Sequence, residues 1–386
     1  MEPTVLHVAN FKARYSSNFL ASMCALSRYS RRMGLRQVMG LPRGAQGRRW
    51  IAMLRDHGIA VHLLPEPSAV ALSTLAIAHL ARSENAVIIH THFSRQYEIE
   101  AAAARLLCRR PQIRLLWHRH SAGPATARPF STRLKDLVGN RLLAPDSVVI
   151  AVSAQLRDAA IESGISPSHA TTVENGIDLA RVQQVSTTRS EIRKSWSIGE
   201  EVFTFLHFGW DPVTKGVDLV LRACRRIREG RPFALVMVGL EITADAARKV
   251  TGPQLPPWLR IIPPVETVGD LYAASDCLVS SSRWEGSPYT VGEAMVAGLP
   301  IISTDIPGVK AVSASEGVIL TPFDEGKLAE RMTQVLTSAA ERRRGWSDAN
   351  RNFILQNYSV EHWAERVVRI YAALIDRSMF AGNHRQ

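Results

Sequence analysis

Ser280-Ser-Arg-Trp-Glu-Gly-Ser-Pro-Tyr-Thr-Val-Gly-Glu-Ala-Met-Val-Ala-Gly-Leu-Pro300 reads as a strand end, a loop, a helix and the start of a second strand. The apolar Leu278–Val279 closes the first strand. Ser287 is expected as the N-cap and Pro288 as the first helical residue, a position that needs no N–H. Gly298 suits the helix end, and Leu299-Pro300 opens the next strand. Glu285 then sits in the loop before a helix N-terminus, and Glu293 in the second turn. N–H groups at such a terminus donate to hydroxyl or phosphate oxygens. Glu285 is placed to accept from sugar hydroxyls and Glu293 from a ribose diol. The plainer reading is a strand, loop and helix with two solvated acids. So many special positions in one string favour binding.

Outward from this stretch the same rhythm continues. Val202–Phe208, Ala234–Val238, Leu259–Ile262, Cys277–Val279 and Pro300–Ser303 read as strands. Helices are expected around Val217–Arg228, Thr267–Ala274, Tyr289–Ala297 and Gly326–Thr337. The first half repeats the alternation, with strands at Thr4–Ala9, Gln37–Gly40, Ala60–Leu64, Ala86–His90, Ile113–Trp117 and Ser147–Val152. Strand–helix alternation of this kind predicts parallel sheets covered by helices, here two doubly wound Rossmann-like domains in tandem. The expected boundaries are 1–185, 186–359 and a terminal helix within 360–386, with the charge-rich Asp178–Glu200 as linker. Ligands of such sheets bind outside the carboxyl ends of the strands. Two domains facing one another across a cleft are the expectation.

The 386 residues are 46% apolar and 21% charged, enough for two ordinary cores. The net charge of +12 is uneven: residues 1–150 carry +13 and the remainder −1. A basic first domain is expected to attract an anionic acceptor or an anionic membrane surface. A generic arginine-rich surface is the alternative. No nucleic-acid module is present, so nucleic acid is not an expected partner. No apolar run approaches the length of a membrane span, and no leader is evident. Cys24, Cys108, Cys224 and Cys277 are far apart and form no Cys-x-x-Cys pair. Buried, reduced thiols in the cytoplasm are expected, with peripheral contact at the inner membrane face.

Lys215 ends the loop after the Val202–Phe208 strand. Gly209 permits a tight turn there, and Gly216-Val-Asp218 opens a helix. A lysine is unfavourable at a helix N-terminus, and an anionic diphosphate would compensate for it; a solvated lysine is the alternative. His90-Thr-His92 and His118-Arg-His120 each follow a strand, and i, i+2 spacing sets each pair on one face. A four-histidine metal site is conceivable. No nearby carboxylate completes a set, so satisfied structural imidazoles are the expectation, with no metal and no cofactor.

Glu-Gly-x-Pro-x-x-x-x-Glu-Ala-Met-x-x-Gly-x-Pro resembles the signature of the retaining glycosyltransferases of the GT-B fold, family 4-like or group 1. Asn175-Gly-Ile-Asp178, Ala151-Val-Ser153 and Phe208-Gly-x-x-x-x-x-Lys215-Gly-Val-Asp218 resemble its other motifs, so the likeness runs through most of the chain. It implies that the two glutamates hold a nucleotide-sugar, a co-substrate and not a cofactor. Glu285 would meet the sugar, Glu293 the ribose and Lys215 the diphosphate. Gly209, Gly286, Ser287, Pro288 and Tyr289 would line the donor. His120, with His118 as alternate, would stand beside the transferred sugar. The helix Val360–Ile375 would cross back onto the first domain. Asn175, Lys12 and Arg14 are further candidates for the acceptor or phosphate loops.

The chain departs from the family pattern at three places. Trp210 stands where an arginine usually follows Gly209, Gly308-Val-Lys310 replaces the usual Gly-x-Pro-Glu, and Asn10–Asn18 lacks a Gly-Gly pair. Asp-x-Asp is absent, which fits a metal-independent reaction. The resemblance implies transfer of a hexosyl-type sugar, by default from UDP, to a sugar or lipid-linked acceptor in cell-envelope polysaccharide or glycoconjugate synthesis. A nucleotide-sugar epimerase, a sugar phosphorylase and a degenerate donor-binding homologue are the competing readings.

Overall fold

Every strand pairing among the described residues is parallel. The computed structural model describes residues 2–110, 112–121, 140, 144–227, 230 and 232–382, with side chains as far as 376. The first sheet holds β1 (Thr4–Ala9), β2 (Arg36–Pro42), β3 (Ala60–Leu64), β4 (Ala86–His92), β5 (Arg114–Arg119), β6 (Val148–Ala151) and β7 (Ala170–Thr172). Its order is β3-β2-β1-β4-β5-β6-β7. The second holds β8 (Phe203–Phe208), β9 (Phe233–Val238), β10 (Leu259–Ile262), β11 (Cys277–Ser280), β12 (Ile301–Thr304) and β13 (Val318–Thr321), in the order β10-β9-β8-β11-β12-β13. Strand order reverses between β1 and β4, and again between β8 and β11. The loops after these strands therefore share a crevice in each sheet, the usual place for a ligand.

Both faces of each sheet are covered, as continuous apolar strands require. In the first sheet Val5, Ile88, Leu116 and Ile150 pack under the helix Asn18–Arg31 on one face. Leu6, Ile89, Leu115 and Val149 pack on the other face with residues of the helices Val70–Ser83 and Arg95–Cys108. In the second sheet Leu206, Val236, Leu278 and Ile301 build one core and Phe205, Leu235, Val279 and Ile302 the other.

Two compact units result: Met1–Gly176 with Val360–Gln386, and Ile177–Ser359. The first boundary lies nearer the N-terminus than the expected 185. Ile177 belongs to the second core, and its N–H donates to Tyr358 O at 2.8 Å, so the two passages of the chain lie side by side. The helix Val360–Gly382 packs in the first unit through Trp363, Val367, Tyr371 and Leu374. Arg366 fixes it to Glu174 at 2.9 Å and to Thr172 O at 2.7 Å.

The expected linker Asp178–Glu200 is a correction. It forms the helices Leu179–Gln183 and Arg189–Ser195 and belongs to the second unit. Val182, Ile192 and Ile198 are buried there, and so is Arg193, whose guanidinium donates to Ala274 O at 3.0 Å and Gly199 O at 2.7 Å. Charged composition concealed a docked strap, because a guanidinium can be buried once carbonyls accept from it. A capping box at Thr188 and Glu191 starts the second of these helices. Thr188→Ala is expected to lower the stability of the second unit by about 1 kcal/mol, read as a lower urea midpoint with unchanged slope. An unchanged midpoint would show that tertiary docking alone holds the strap.

Candidate functional site

The loops after β8 and β11 meet at Lys215. Its ammonium donates to Glu285 Oε1 at 2.5 Å and lies 4.4 Å from the centroid of the Trp210 ring. Both side chains of this ion pair are nearly buried, 10% exposed at Lys215 and 14% at Glu285. Trp210, half exposed, thus faces the cation from a position where the resemblance placed a second cation. Its ring contributes only the attraction of a π face, about 0.5–2 kcal/mol.

Short hydrogen bonds shape the Lys215 loop. Asp211 accepts from Thr214 Oγ1 at 2.6 Å, and Lys215 N–H donates to Asp211 O at 2.8 Å. The Thr214 hydroxyl holds the Asp211 carboxyl below the usual range. Arg283 clips the loop from outside, donating to Val213 O at 2.8 Å and to both oxygens of Asp218 at 2.9 Å. Gly216 caps the helix Val217–Arg226 in the left-handed region, φ 63°. Ser281 Oγ donates to both Lys215 O and Gly216 O at 3.0 Å, tying this turn to the end of β11.

Glu285 is oriented from three sides. Ser282 Oγ donates to its Oε1 at 2.7 Å, and Ser282 O in turn accepts from Thr304 Oγ1 at 2.6 Å. Gly308 lies so close beneath that a Cβ there would stand 2.4 Å from Glu285 O. The third side is Lys215. Gly286 is buried, and Ser287, Pro288 and Tyr289 are half-buried. Here the expected cap is corrected: Pro288 is the N-cap and the helix is Tyr289–Val296. Pro288 has no side-chain acceptor, and Ser287 falls one residue too early to cap. Gly209 supports the same crevice from β8, its carbonyl accepting from Thr243 Oγ1 at 2.8 Å.

Glu293 is buried in the second turn. It accepts from Tyr272 Oη at 2.6 Å and pairs with Arg181 at 3.6 Å. Burial, then the Glu293 charge, pushes the Tyr272 hydroxyl well above its usual pKa, so it stays a donor. His207, beside Lys215 in β8, is lowered to about 4 by burial and is neutral at pH 7. Lys310 is paired with Asp305 at 2.5 Å on the surface.

The remaining sequence candidates belong to the first unit. His120 follows β5, its ring stacked on Phe93 at 4.1 Å and its Nε2 3.2 Å from His92 Nδ1. His118 is buried beside it. Lys12, exposed, pairs with Glu66 at 3.5 Å, and the Arg14 guanidinium lies 5.4 Å from the Tyr15 ring. Asn175 is buried just before the passage to the second unit. Lys215, Glu285 and Glu293 are thus gathered in one unit and His120 in the other.

Sequence reasoning missed Ser282, Tyr272, Arg181 and Arg283. Ser282 lies in a run of three serines, and nothing in spacing separates the one that turns toward Glu285. Tyr272 and Arg181 reach Glu293 only through tertiary packing. Arg181 carried a faint signal, three residues after the Asp178 that ends a recognised motif.

Residues 202–338 match the family model described as glycosyl transferases group 1, and residues 24–181 match that of glycosyltransferase family 4. TuaC of Bacillus subtilis, a glycosyltransferase provisionally named for teichuronic acid biosynthesis, is 27% identical over 64% of this chain. That alignment spans 60% of TuaC's own length. A glycosyltransferase of Rickettsia africae superposes with a TM-score of 0.79 at 16% identity, covering 97% of this chain and 99% of that one. HepE of Anabaena in complex with UDP-glucose superposes at 0.77 with 17% identity, covering 96% and 99%. These structural likenesses concern the fold.

Proposed function

Because this chain belongs to the group 1 glycosyltransferases of the GT-B fold, we propose that it moves a hexosyl-type sugar from a UDP-sugar to an acceptor hydroxyl, with retention at the anomeric carbon. The observation that carries this reading is the convergence of Lys215, Ser282 and Glu285 at the reversal of strand order between β8 and β11. The HepE structure that this fold resembles holds UDP-glucose.

In this reading the donor diphosphate takes the Lys215 ammonium from Glu285. The freed carboxylate, still fixed by Ser282, accepts from sugar hydroxyls. Amides of Gly286 and Ser287 donate to the donor, Pro288 and Tyr289 line it, and Glu293 accepts from the ribose. Negative charge grows on the leaving diphosphate as the glycosidic bond breaks, and Lys215 stabilises it there. The acceptor hydroxyl attacks from the same face, and the departing phosphate takes its proton. No divalent cation is needed at the diphosphate. The net +13 of residues 1–150 favours an anionic acceptor, a lipid-phosphate-linked sugar at the inner membrane face, in envelope polysaccharide synthesis.

A second reading is donor binding without turnover. Trp210 motivates it, since one cation of the family clamp is replaced by a ring. Incubation with a panel of UDP- and GDP-sugars separates the two. Release of nucleoside diphosphate that increases with an acceptor, and that proceeds equally without added Mg2+ or Mn2+, is the expected result. Binding without release from any donor would sink the enzymatic reading. A free epimerised sugar would assign an epimerase.

A further inference from the structure

Five imidazoles stand at the carboxyl ends of β1, β4 and β5: His7, His90, His92, His118 and His120. The ligand nitrogens of His7, His90 and His92 lie within 4.8 Å of one another, and all three side chains are buried. The outer nitrogen of each has its own partner. His7 Nε2 meets Gln37 Oε1, His90 Nδ1 meets Tyr371 Oη at 2.8 Å, and His92 Nδ1 meets His120 Nε2 at 3.2 Å. Of the inner nitrogens, His7 Nδ1 and His92 Nε2 share a hydrogen bond, and His90 Nε2 is the third.

A proton on His7 Nε2, donated to the Gln37 carbonyl, makes His7 Nδ1 a lone pair. It faces His92 Nε2 at 3.0 Å. His90 Nε2 is buried with no hydrogen-bond partner among the described residues. A buried polar atom of this kind is costly unless something satisfies it. The 3.0 Å separation is close to the edge, about 3.3 Å, of a tetrahedron whose metal–nitrogen bonds are about 2.0 Å. Outer partners that orient ligating imidazoles are the usual second layer of a histidine metal site. The alternative triplet, His92, His118 and His120, lacks that layer, since neither nitrogen of His118 has a hydrogen-bond partner among the described residues.

We propose that His7 Nδ1, His90 Nε2 and His92 Nε2 bind one divalent transition metal of the zinc type, with Gln37, Tyr371 and His120 orienting the rings. Among the described residues no carboxylate or thiol joins the group. Imidazole-only ligation selects zinc, cobalt or nickel over magnesium or calcium, which take oxygen. The site ties β1 and β4 to the helix Val360–Gly382 through Tyr371. The sequence expectation of no metal rested on a missing carboxylate. His7, on a strand far away in sequence, supplies the third ligand that spacing did not reveal.

The test uses the full chain without an affinity tag. Metal content after zinc loading is expected at about one per chain. Co2+ added to metal-stripped protein is expected to give the visible absorption of a tetrahedral site, saturating at about one equivalent. His7→Gln and His90→Gln should abolish it, and His118→Gln should keep it. Tyr371→Phe removes one hydroxyl from a packed ring and should weaken Co2+ binding about 10- to 100-fold with unchanged far-UV dichroism. A folded wild type without stoichiometric metal or cobalt absorption overturns the proposal. So does binding that survives in His90→Gln, is lost in His118→Gln, or is untouched in Tyr371→Phe.

Discussion

Lys215→Ala is expected to slow sugar transfer by about 100- to 1000-fold, the usual loss when one preorganised partner of a developing negative charge is removed. The lysine is nearly buried, and Glu285 and the Trp210 ring hold its ammonium in place. In the proposed reaction such a cation needs little reorganisation as the diphosphate departs, and low local polarity strengthens it. Trp210 cannot substitute, because a ring attracts cations and not phosphates. The loss should fall mainly on kcat, with a smaller rise in donor KM.

Removing one partner of a nearly buried pair also leaves the other without its partner. Lys215→Ala must therefore be compared with Glu285→Gln, which keeps an acceptor for Ser282 and for sugar hydroxyls but lacks charge. If both residues serve one donor, the double variant should be scarcely slower than the worse single variant. A folded Lys215→Ala protein retaining more than about one-tenth of wild-type kcat would remove Lys215 from the diphosphate.

Much of this site was readable because its parts are local. Glu285 and Glu293 sit on one strand–loop–helix, and Lys215 on another. Each such unit advertises itself by Gly, Pro and an apolar run. The β-α rhythm likewise exposed eleven of the strands, while β7 and β13 escaped. β7 is three residues long and half-buried, and β13 is at the edge of its sheet, so neither shows the buried apolar run of a central strand. What the sequence hid was tertiary. His7 joins His92 across two neighbouring strands, Tyr371 reaches His90 from the far end of the chain, and Arg193 is buried by carbonyls that precede other elements. Pairings of that kind depend on sheet order, which the alternation of elements does not specify.

Gly216→Ala gives the second large effect, and it acts only through geometry. At φ 63° an alanine is disfavoured by about 1–2 kcal/mol from backbone alone. Its Cβ would also stand 2.0 Å from Ser281 O, a backbone atom at the end of β11 that has no rotamer to relieve the clash. The turn must move off β11, breaking the bonds from Ser281 Oγ to Lys215 O and Gly216 O. Lys215 then shifts relative to Glu285 while every charge is retained. A misplacement of about 1 Å near a reacting centre slows it about 100-fold, so transfer should fall by that order. Gly345→Ala is the control, since Gly345 is helical and nothing lies within 4 Å of an added Cβ. It should leave transfer unchanged and stability equal or slightly higher. If Gly216→Ala transfers sugar at the wild-type rate, the placement of Lys215 against Glu285 is not what the reaction uses. If it loses transfer while Lys215→Ala does not, the turn serves donor entry through its backbone, and the lysine is a structural partner of Glu285.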